Sequence, residues 1–97
     1  MSLTLKDIQE KKNEIIQISQ RYHAENIRLF GSVVRGEATN NSDVDFLVSF
    51  LPRASLFDQA GLMDELSSLL QRKVDVVSER AVSPYLQKII QAEARPL

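Results

Sequence analysis

A glycine–serine pair followed at a fixed distance by two aspartates is the feature that most constrains this chain. Gly31 and Ser32 follow a short apolar stretch, and ten residues separate Ser32 from Asp43. Asp43 and Asp45 stand at the entrance to an apolar run, residues 44–50, whose alternation predicts a β-strand. Because successive side chains on a strand point to opposite faces, we expect the two carboxylates on the same face.

Two carboxylates on one strand face repel each other. At about 5 Å and an effective dielectric constant of about 20, the repulsion is roughly 3 kcal/mol. The pair makes sense if a divalent cation lies between them, since hard cations take oxygen ligands. A serine on a glycine turn suits phosphate oxygens, which backbone N–H groups also bind. The stretch therefore indicates a site for metal and phosphate, although an Asp-x-Asp pair alone is also typical of a turn residue beside an exposed strand residue.

The composition is that of an ordinary globular protein and excludes several other classes. The 97 residues are 43% hydrophobic and 26% charged, which predicts one domain over residues 1–97. The net charge of −1 provides no basic surface, so direct nucleic-acid binding and membrane binding are not expected. There is no cysteine, and the single histidine, His23, cannot build a zinc site alone. No signal peptide or membrane-length apolar run is present, and a cytoplasmic protein is expected.

Apolar periodicity and capping residues predict helices alternating with short strands. Helices are predicted over residues 4 to 23, from Ser32 to about Arg35, from Ser55 to Leu70, and from Pro84 to a stop at Pro96. Strands are predicted over residues 27–30, 44–50 and 73–77. The expected buried faces of the last two helices are Leu56, Ala60, Met63, Leu66 and Leu70, with Phe57 and Leu69 beside them, and Tyr85, Leu86, Ile89 and Ile90.

Asp75 interrupts the valines of the third predicted strand. Carboxylates are rarely buried without a partner, so an aspartate in a central strand calls for an explanation. One interpretation is a short edge strand with Asp75 facing outward, paired with Arg72 or Arg80. The other places this strand beside the second one in the centre of a sheet, where Asp75 converges on Asp43 and Asp45 around a cation.

Together these residues resemble the minimal nucleotidyltransferases of the DNA polymerase beta superfamily. The pattern consists of Gly31-Ser32, Arg35-Gly36, Asp43-x-Asp45, and Asp75 in a later Val-Asp-Val-Val strand. The resemblance covers nearly the whole chain and implies an α/β (α+β) fold with a small mixed β-sheet flanked by helices. It also implies two-metal nucleotidyl transfer from a nucleoside triphosphate. Such chains are often antitoxins paired with a HEPN ribonuclease toxin, and those studied in the family adenylylate a tyrosine of the toxin.

The resemblance assigns roles to six residues. Asp43, Asp45 and Asp75 would be the catalytic residues and the ligands of two Mg²⁺ ions, with Asp75 also helping to deprotonate the attacking hydroxyl. Gly31, Ser32 and Arg35 would bind the phosphates of ATP. For Arg35, pairing with Glu37 alone is the other interpretation. A Walker lysine motif is absent, which excludes a P-loop.

Two alternatives to an enzyme that modifies a toxin stay open at this stage. The first is an antitoxin that neutralises a toxin by contact without catalysis. The second is a nucleotidyltransferase whose acceptor is not a protein but a molecule such as an aminoglycoside or an RNA end. A basic patch for RNA is missing, and the chain is too short for the extra domain with which larger relatives grip an acceptor. We therefore expect that a protein partner binds the acceptor group in place of that domain, and that it forms an oligomer with this chain.

Overall fold

A four-stranded mixed sheet organises the molecule, a computed structural model that describes residues 3–39 and 41–97. The helices are α1 (Leu5–Gln9), α2 (Lys12–Arg21), α3 (Ser32–Arg35), α4 (Leu56–Leu70) and α5 (Pro84–Glu93). The strands are β1 (Ala24–Phe30), β2 (Val44–Phe50), β3 (Val74–Ser78) and β4 (Arg95–Pro96), and a 3₁₀ turn, Glu79–Ala81, follows β3. The expected class, α/β (α+β) with a small mixed β-sheet flanked by helices, is confirmed.

The strands lie in the order β3-β2-β1-β4. β1 pairs with β2 and β4 antiparallel, whereas β2 and β3 are parallel and α4 forms the crossover between them. The expectation of a central strand around Asp75 is wrong, because β3 lies at the edge of the sheet. Arg72, one of the partners considered for Asp75, instead donates to the Thr39 carbonyl at 2.8 Å.

The core lies between one face of the sheet and helices α1, α2 and α4. Phe46 on β2 is fully buried between Leu29 on β1 and Val76 on β3, its partners in register. The helices contribute Ile8, Ile15, Leu62, Leu66 and Leu70 to the same cluster. Full burial of each such aliphatic or aromatic side chain is worth about 1.5–3 kcal/mol, so this layer holds the strands in place.

The first predicted helix is two helices. Lys11 adopts φ −100° and ψ 16°, which interrupts the helix between α1 and α2. Neither glycine nor proline stands at the interruption, so the apolar period alone could not predict it. The predicted start is confirmed: Thr4 and Asp7 form a reciprocal capping box, with backbone-to-side-chain distances of 2.9 and 3.2 Å.

Strand β1 begins at Ala24, three residues before the predicted start. Asn26, directly before the predicted start, lies inside the strand with φ +50°, where the register with β2 shifts. Asparagine tolerates this left-handed conformation, and such an irregularity is typical of a β-bulge. The bounds predicted for β2 are confirmed, and β3 is displaced by one residue.

Helix α4 buries only the C-terminal part of the predicted stripe, where Leu66 and Leu70 are buried as predicted. Its capping box of Ser55 and Asp58 is confirmed. The buried residues are Leu62, Leu66 and Leu70, whereas Leu56 and Phe57 are 82% and 88% exposed. The buried stripe therefore begins more than a turn after the start of the helix, and its first turn contributes apolar surface to the exterior.

Helix α5 begins as predicted, with Ser83 as N-cap and Pro84 in the first turn. Its expected buried face is wrong: no residue of α5 is buried, and Tyr85 and Ile89 are 77% and 51% exposed. The helix ends at Glu93, so that Pro96 lies in β4 rather than at the helix end. Within the part of the chain that the structure describes, no helix has both the length and the apolarity needed to cross a membrane.

Candidate active site

Asp45 and Asp75 are paired residues on the parallel strands β2 and β3. Paired residues of neighbouring strands point to the same face, with the strands about 5 Å apart. Asp43 lies just before β2, two residues from Asp45, and alternation along extended backbone directs it to that face as well. The fold thus brings aspartates from two distant parts of the chain to one end of the sheet, with Asp75 on the same face as Asp45.

The three carboxylates interact electrostatically. The pKa of Asp45 is raised to about 6, first because the carboxyl is partly buried and then because of the charges of Asp75 and Asp43. The positive charge of Arg35 acts in the opposite direction, but it does not cancel these effects. The end of the sheet therefore has an excess of negative charge at neutral pH.

The chemistry of this cluster fits a divalent cation. Carboxylate oxygens are the ligands that hard cations take, and a cation would relieve the repulsion that raises the pKa of Asp45. Lys73 relieves little of it, since its ammonium lies 3.8 Å from Oδ2 of Asp43 and its side chain is 82% exposed. Over residues 3–39 and 41–97, no three Asp, Glu, His or Cys side chains are already gathered closely enough to hold a metal ion.

Gly31 brings the glycine–serine turn directly against Asp45. Its backbone, at φ +82° and ψ −155°, lies in a region that is essentially restricted to glycine. A Cβ atom at this position would lie 2.3 Å from Oδ2 of Asp45. Glycine is therefore required here both by the turn and by the carboxylate that packs on it.

Helix α3 has the predicted bounds, but its N-cap is Gly31 rather than Ser32. The Gly31 carbonyl accepts from the backbone N–H groups of Val34 and Arg35 at 3.1 and 3.2 Å. Ser32 is the first helical residue, so its hydroxyl is not the cap. Gly36 ends the helix in the left-handed conformation, as predicted.

Arg35 binds two carboxylates rather than one. Its Nε lies 3.4 Å from Oε2 of Glu37, the partner considered from the sequence, and its Nη1 pairs with Oε1 of Glu93. The other oxygen of Glu93 accepts a hydrogen bond from the backbone N–H of Gly31 at 3.3 Å. Glu93 was not predicted as part of the site, because it is the last residue of α5 and no local pattern relates it to Gly31.

The family described as "Polymerase beta, Nucleotidyltransferase" matches residues 13–97. This chain belongs to that family. It is thus a nucleotidyltransferase, and the resemblance inferred from the glycine–serine and aspartate motifs is confirmed. A relative from Methanocaldococcus jannaschii, provisionally named a protein adenylyltransferase, is 38% identical over 90 residues, which are 92% of this chain and 90% of the relative. The protein adenylyltransferase MntA of Thermococcus cleftensis is 36% identical over 77 residues, covering 79% and 78% of the two chains.

Solved structures show the same fold in this nucleotidyltransferase family. One, provisionally described as a minimal nucleotidyltransferase, has a TM-score of 0.88 and 39% identity over 98% of this chain and 97% of its own. A toxin–antitoxin structure with AMP-PNP has a TM-score of 0.75 and 28% identity, covering 88% and 70% of the chains. The toxin–antitoxin MntA-HepT has a TM-score of 0.67 and 26% identity, covering 90% and 68%.

Proposed function

We propose that this chain transfers AMP from ATP, with Mg²⁺, to a tyrosine hydroxyl of a HEPN ribonuclease toxin, and so acts as an adenylylating antitoxin. The observation that carries the proposal is the pairing of Asp45 with Asp75 beside the glycine turn. A carboxylate cluster next to backbone and guanidinium donors suits a metal-bound triphosphate. The relatives named protein adenylyltransferases support a protein acceptor.

The reaction is a displacement at the α-phosphorus of ATP. The acceptor oxygen forms a bond to this phosphorus, the bond to the bridging oxygen of the β-phosphate breaks, and pyrophosphate leaves. Asp75, the most exposed of the three aspartates, takes the proton of the attacking hydroxyl. Its place on the edge strand keeps it open to an acceptor that approaches from outside the sheet.

The triphosphate is held on the opposite side of the cluster. The Gly31 N–H and the Ser32 hydroxyl donate to the β- and γ-phosphates, and Arg35 neutralises their charge. Asp43 and Asp45, with Asp75, would hold two Mg²⁺ ions. When bound, these ions would activate the acceptor oxygen and stabilise the charge of the leaving pyrophosphate.

The proposal of a toxin partner is supported by the relatives and by an exposed apolar surface of this chain. A structural relative is a toxin–antitoxin with AMP-PNP, and another pairs MntA with HepT. On this chain, Tyr85, Leu86 and Ile89 expose an apolar surface on α5. Contiguous apolar surface on a small protein is typical of a site for another protein.

The decisive experiment compares transfer of label from α-³²P-ATP and γ-³²P-ATP to the purified cognate toxin. Label from the α-phosphate alone identifies AMP transfer and excludes a kinase. Asp43→Asn combined with Asp45→Asn should abolish labelling and leave the fold intact, because like-charge repulsion is removed. Asp64→Asn, a charge removal at an exposed position of α4, is the matched control and should label normally. Parental labelling by the double variant would refute the assignment.

An antitoxin that acts by contact alone is the second candidate, supported by the exposed apolar surface of α5. Thermal unfolding with and without Mg-ATP separates the two. An enzyme should gain roughly 2.7 kcal/mol at a hundredfold excess over its dissociation constant, whereas a contact antitoxin should gain nothing. If Mg-ATP stabilises the chain but the toxin is not labelled, an aminoglycoside or an RNA end becomes the acceptor to test.

A further inference from the structure

Glu93 places a carboxylate on the groups that are proposed to bind nucleotide phosphates. Its Oε2 accepts from the Gly31 N–H at 3.3 Å, and its Oε1 pairs with Nη1 of Arg35. The side chain is only 20% exposed, so the carboxylate lies within the site rather than over it. The Gly31 N–H and the Arg35 guanidinium therefore already bind an anion, which is the Glu93 carboxylate of the same chain.

This contact is formed against local repulsion. Glu93 adds a fourth negative charge near Asp43, Asp45 and Asp75, and it contributes to the raised pKa of Asp45. A carboxylate in such surroundings is held by its donors, since charge-assisted hydrogen bonds are about twice as strong as neutral ones. An incoming phosphate needs the same donors, so the two anions exclude each other.

The helix that carries Glu93 is weakly held. No residue of α5 is buried, and among the described residues its one other long-range side-chain hydrogen bond runs from Nε2 of Gln91 to Glu79 at 3.1 Å. The chain after the helix is held in place, because Arg95 and Pro96 of β4 pair with β1. Local stability follows buried apolar contact, so the Glu93 side chain can leave its donors through a local change at the end of α5 while β4 stays paired.

We propose that Glu93 takes the place of the triphosphate in the nucleotide-free chain, and that nucleotide binds only by displacing it. The inference rests on the proposed function, since it takes Gly31 and Arg35 as the phosphate donors. It makes Glu93 an autoinhibitory residue: the affinity for nucleotide is lowered by the population of chains in which the carboxylate is seated.

The test is calorimetric titration with AMP-PNP and Mg²⁺ of the parent chain, Glu93→Ala and Glu37→Ala. Both substitutions remove one carboxylate from Arg35, but only Glu93 also occupies the Gly31 N–H. Glu93→Ala should bind about tenfold more tightly, because a charged hydrogen-bond partner no longer has to be displaced. Glu37→Ala should change the affinity by less than about threefold, the effect of one screened surface charge.

The remaining outcomes are each decisive. Equal tightening by both variants would mean that general charge, and not occupancy, sets the affinity, and would overturn the inference. Unchanged or weaker binding by Glu93→Ala would also overturn it, while leaving the proposed function intact. If the parent and both variants, each folded by circular dichroism, all fail to bind AMP-PNP, the proposed nucleotide site is wrong and the inference falls with it.

Discussion

A Cβ atom on Gly31 would lie 2.3 Å from Oδ2 of Asp45, well inside van der Waals contact. The glycine–serine turn and the aspartate pair are therefore in direct contact, through Gly31 and Asp45. β1 ends at Phe30, which pairs with Asp45 across the sheet, so the next residue has to turn beside the carboxylate.

Gly31→Ala should disrupt the site more than the fold. The new methyl group has to push Asp45 away, and the backbone conformation at Gly31 costs an alanine about 1–3 kcal/mol. We expect nucleotide transfer to fall by at least about a hundredfold, the effect of misplacing a reacting group by about 1 Å. Labelled-AMP transfer and urea unfolding measure the two effects.

Gly36→Ala is the control for Gly31→Ala. Gly36 also has positive φ, +73°, but a Cβ there meets nothing within 4 Å. It should therefore lose about 1 kcal/mol of stability through backbone strain and keep most of the activity. Equal loss of activity in both variants would show that strain in the α3 segment, and not the contact with Asp45, is what matters.

Asp45→Asn should stabilise the metal-free chain at neutral pH. The pKa of Asp45 is about 6 in the folded chain and near 3.8 when unfolded, so the folded chain binds more protons between these values. Its contribution to the free energy of unfolding is thus fully present below pH 4 and lost as the pH rises through 6. After allowance for solvent screening of this partly buried group, the advantage of Asp45→Asn should be about 1 kcal/mol at pH 7.5.

Urea unfolding of the parent and Asp45→Asn at pH 4 and pH 7.5 checks this prediction. The advantage of the variant should shrink strongly at pH 4. Asp58 and Glu79 have lowered pKa values and make stability fall in acid, but they are present in both proteins and cancel in the difference. An advantage that is the same at both pH values would mean that Asp45 is not the titrating group.

Asp75→Asn should lower the pKa of Asp45, because the charge of Asp75 is the largest electrostatic cause of its rise. Carboxyl ¹³C shifts of Asp45, followed through a pH titration without metal, measure the change. Asp43→Asn should have the same sign and a smaller effect. An unchanged titration in Asp75→Asn would place the two carboxylates too far apart to share an ion.

The common face of Asp43 and Asp45 could be predicted because it depends only on alternation along one strand. The location of Asp75 stayed open in the sequence, because it depends on β3 lying parallel to β2 in the register that pairs Asp45 with Asp75. β2 was bounded correctly because its apolar run is closed by Asp43 on one side and Pro52 on the other. Strand alternation and the bounds of β2 both depend on a few neighbouring residues.

The contact of Glu93 with Gly31 could not be predicted in this way. It depends on the path of α5 across the molecule, and apolar spacing suggested that Tyr85 and Ile89 would face inward. Spacing identifies an amphipathic face but not whether a core is there to cover it, since the sheet has already packed its other face on α1, α2 and α4. The same limit explains why Leu56 was assigned to the core.

Gly61→Ala should destabilise the chain although alanine is the better helix former. A Cβ at Gly61 in α4 would lie 2.3 Å from Cε1 of Tyr22, which follows α2, so the methyl group would drive the two helices apart. Overpacking typically costs about 1–3 kcal/mol, more than the gain of about 1 kcal/mol in helix propensity. In a Tyr22→Ala background the clash is absent, and Gly61→Ala should become neutral or stabilising. Urea unfolding of the four proteins measures this coupling, and destabilisation by Gly61→Ala in both backgrounds would contradict the assignment of the glycine to the tyrosine ring.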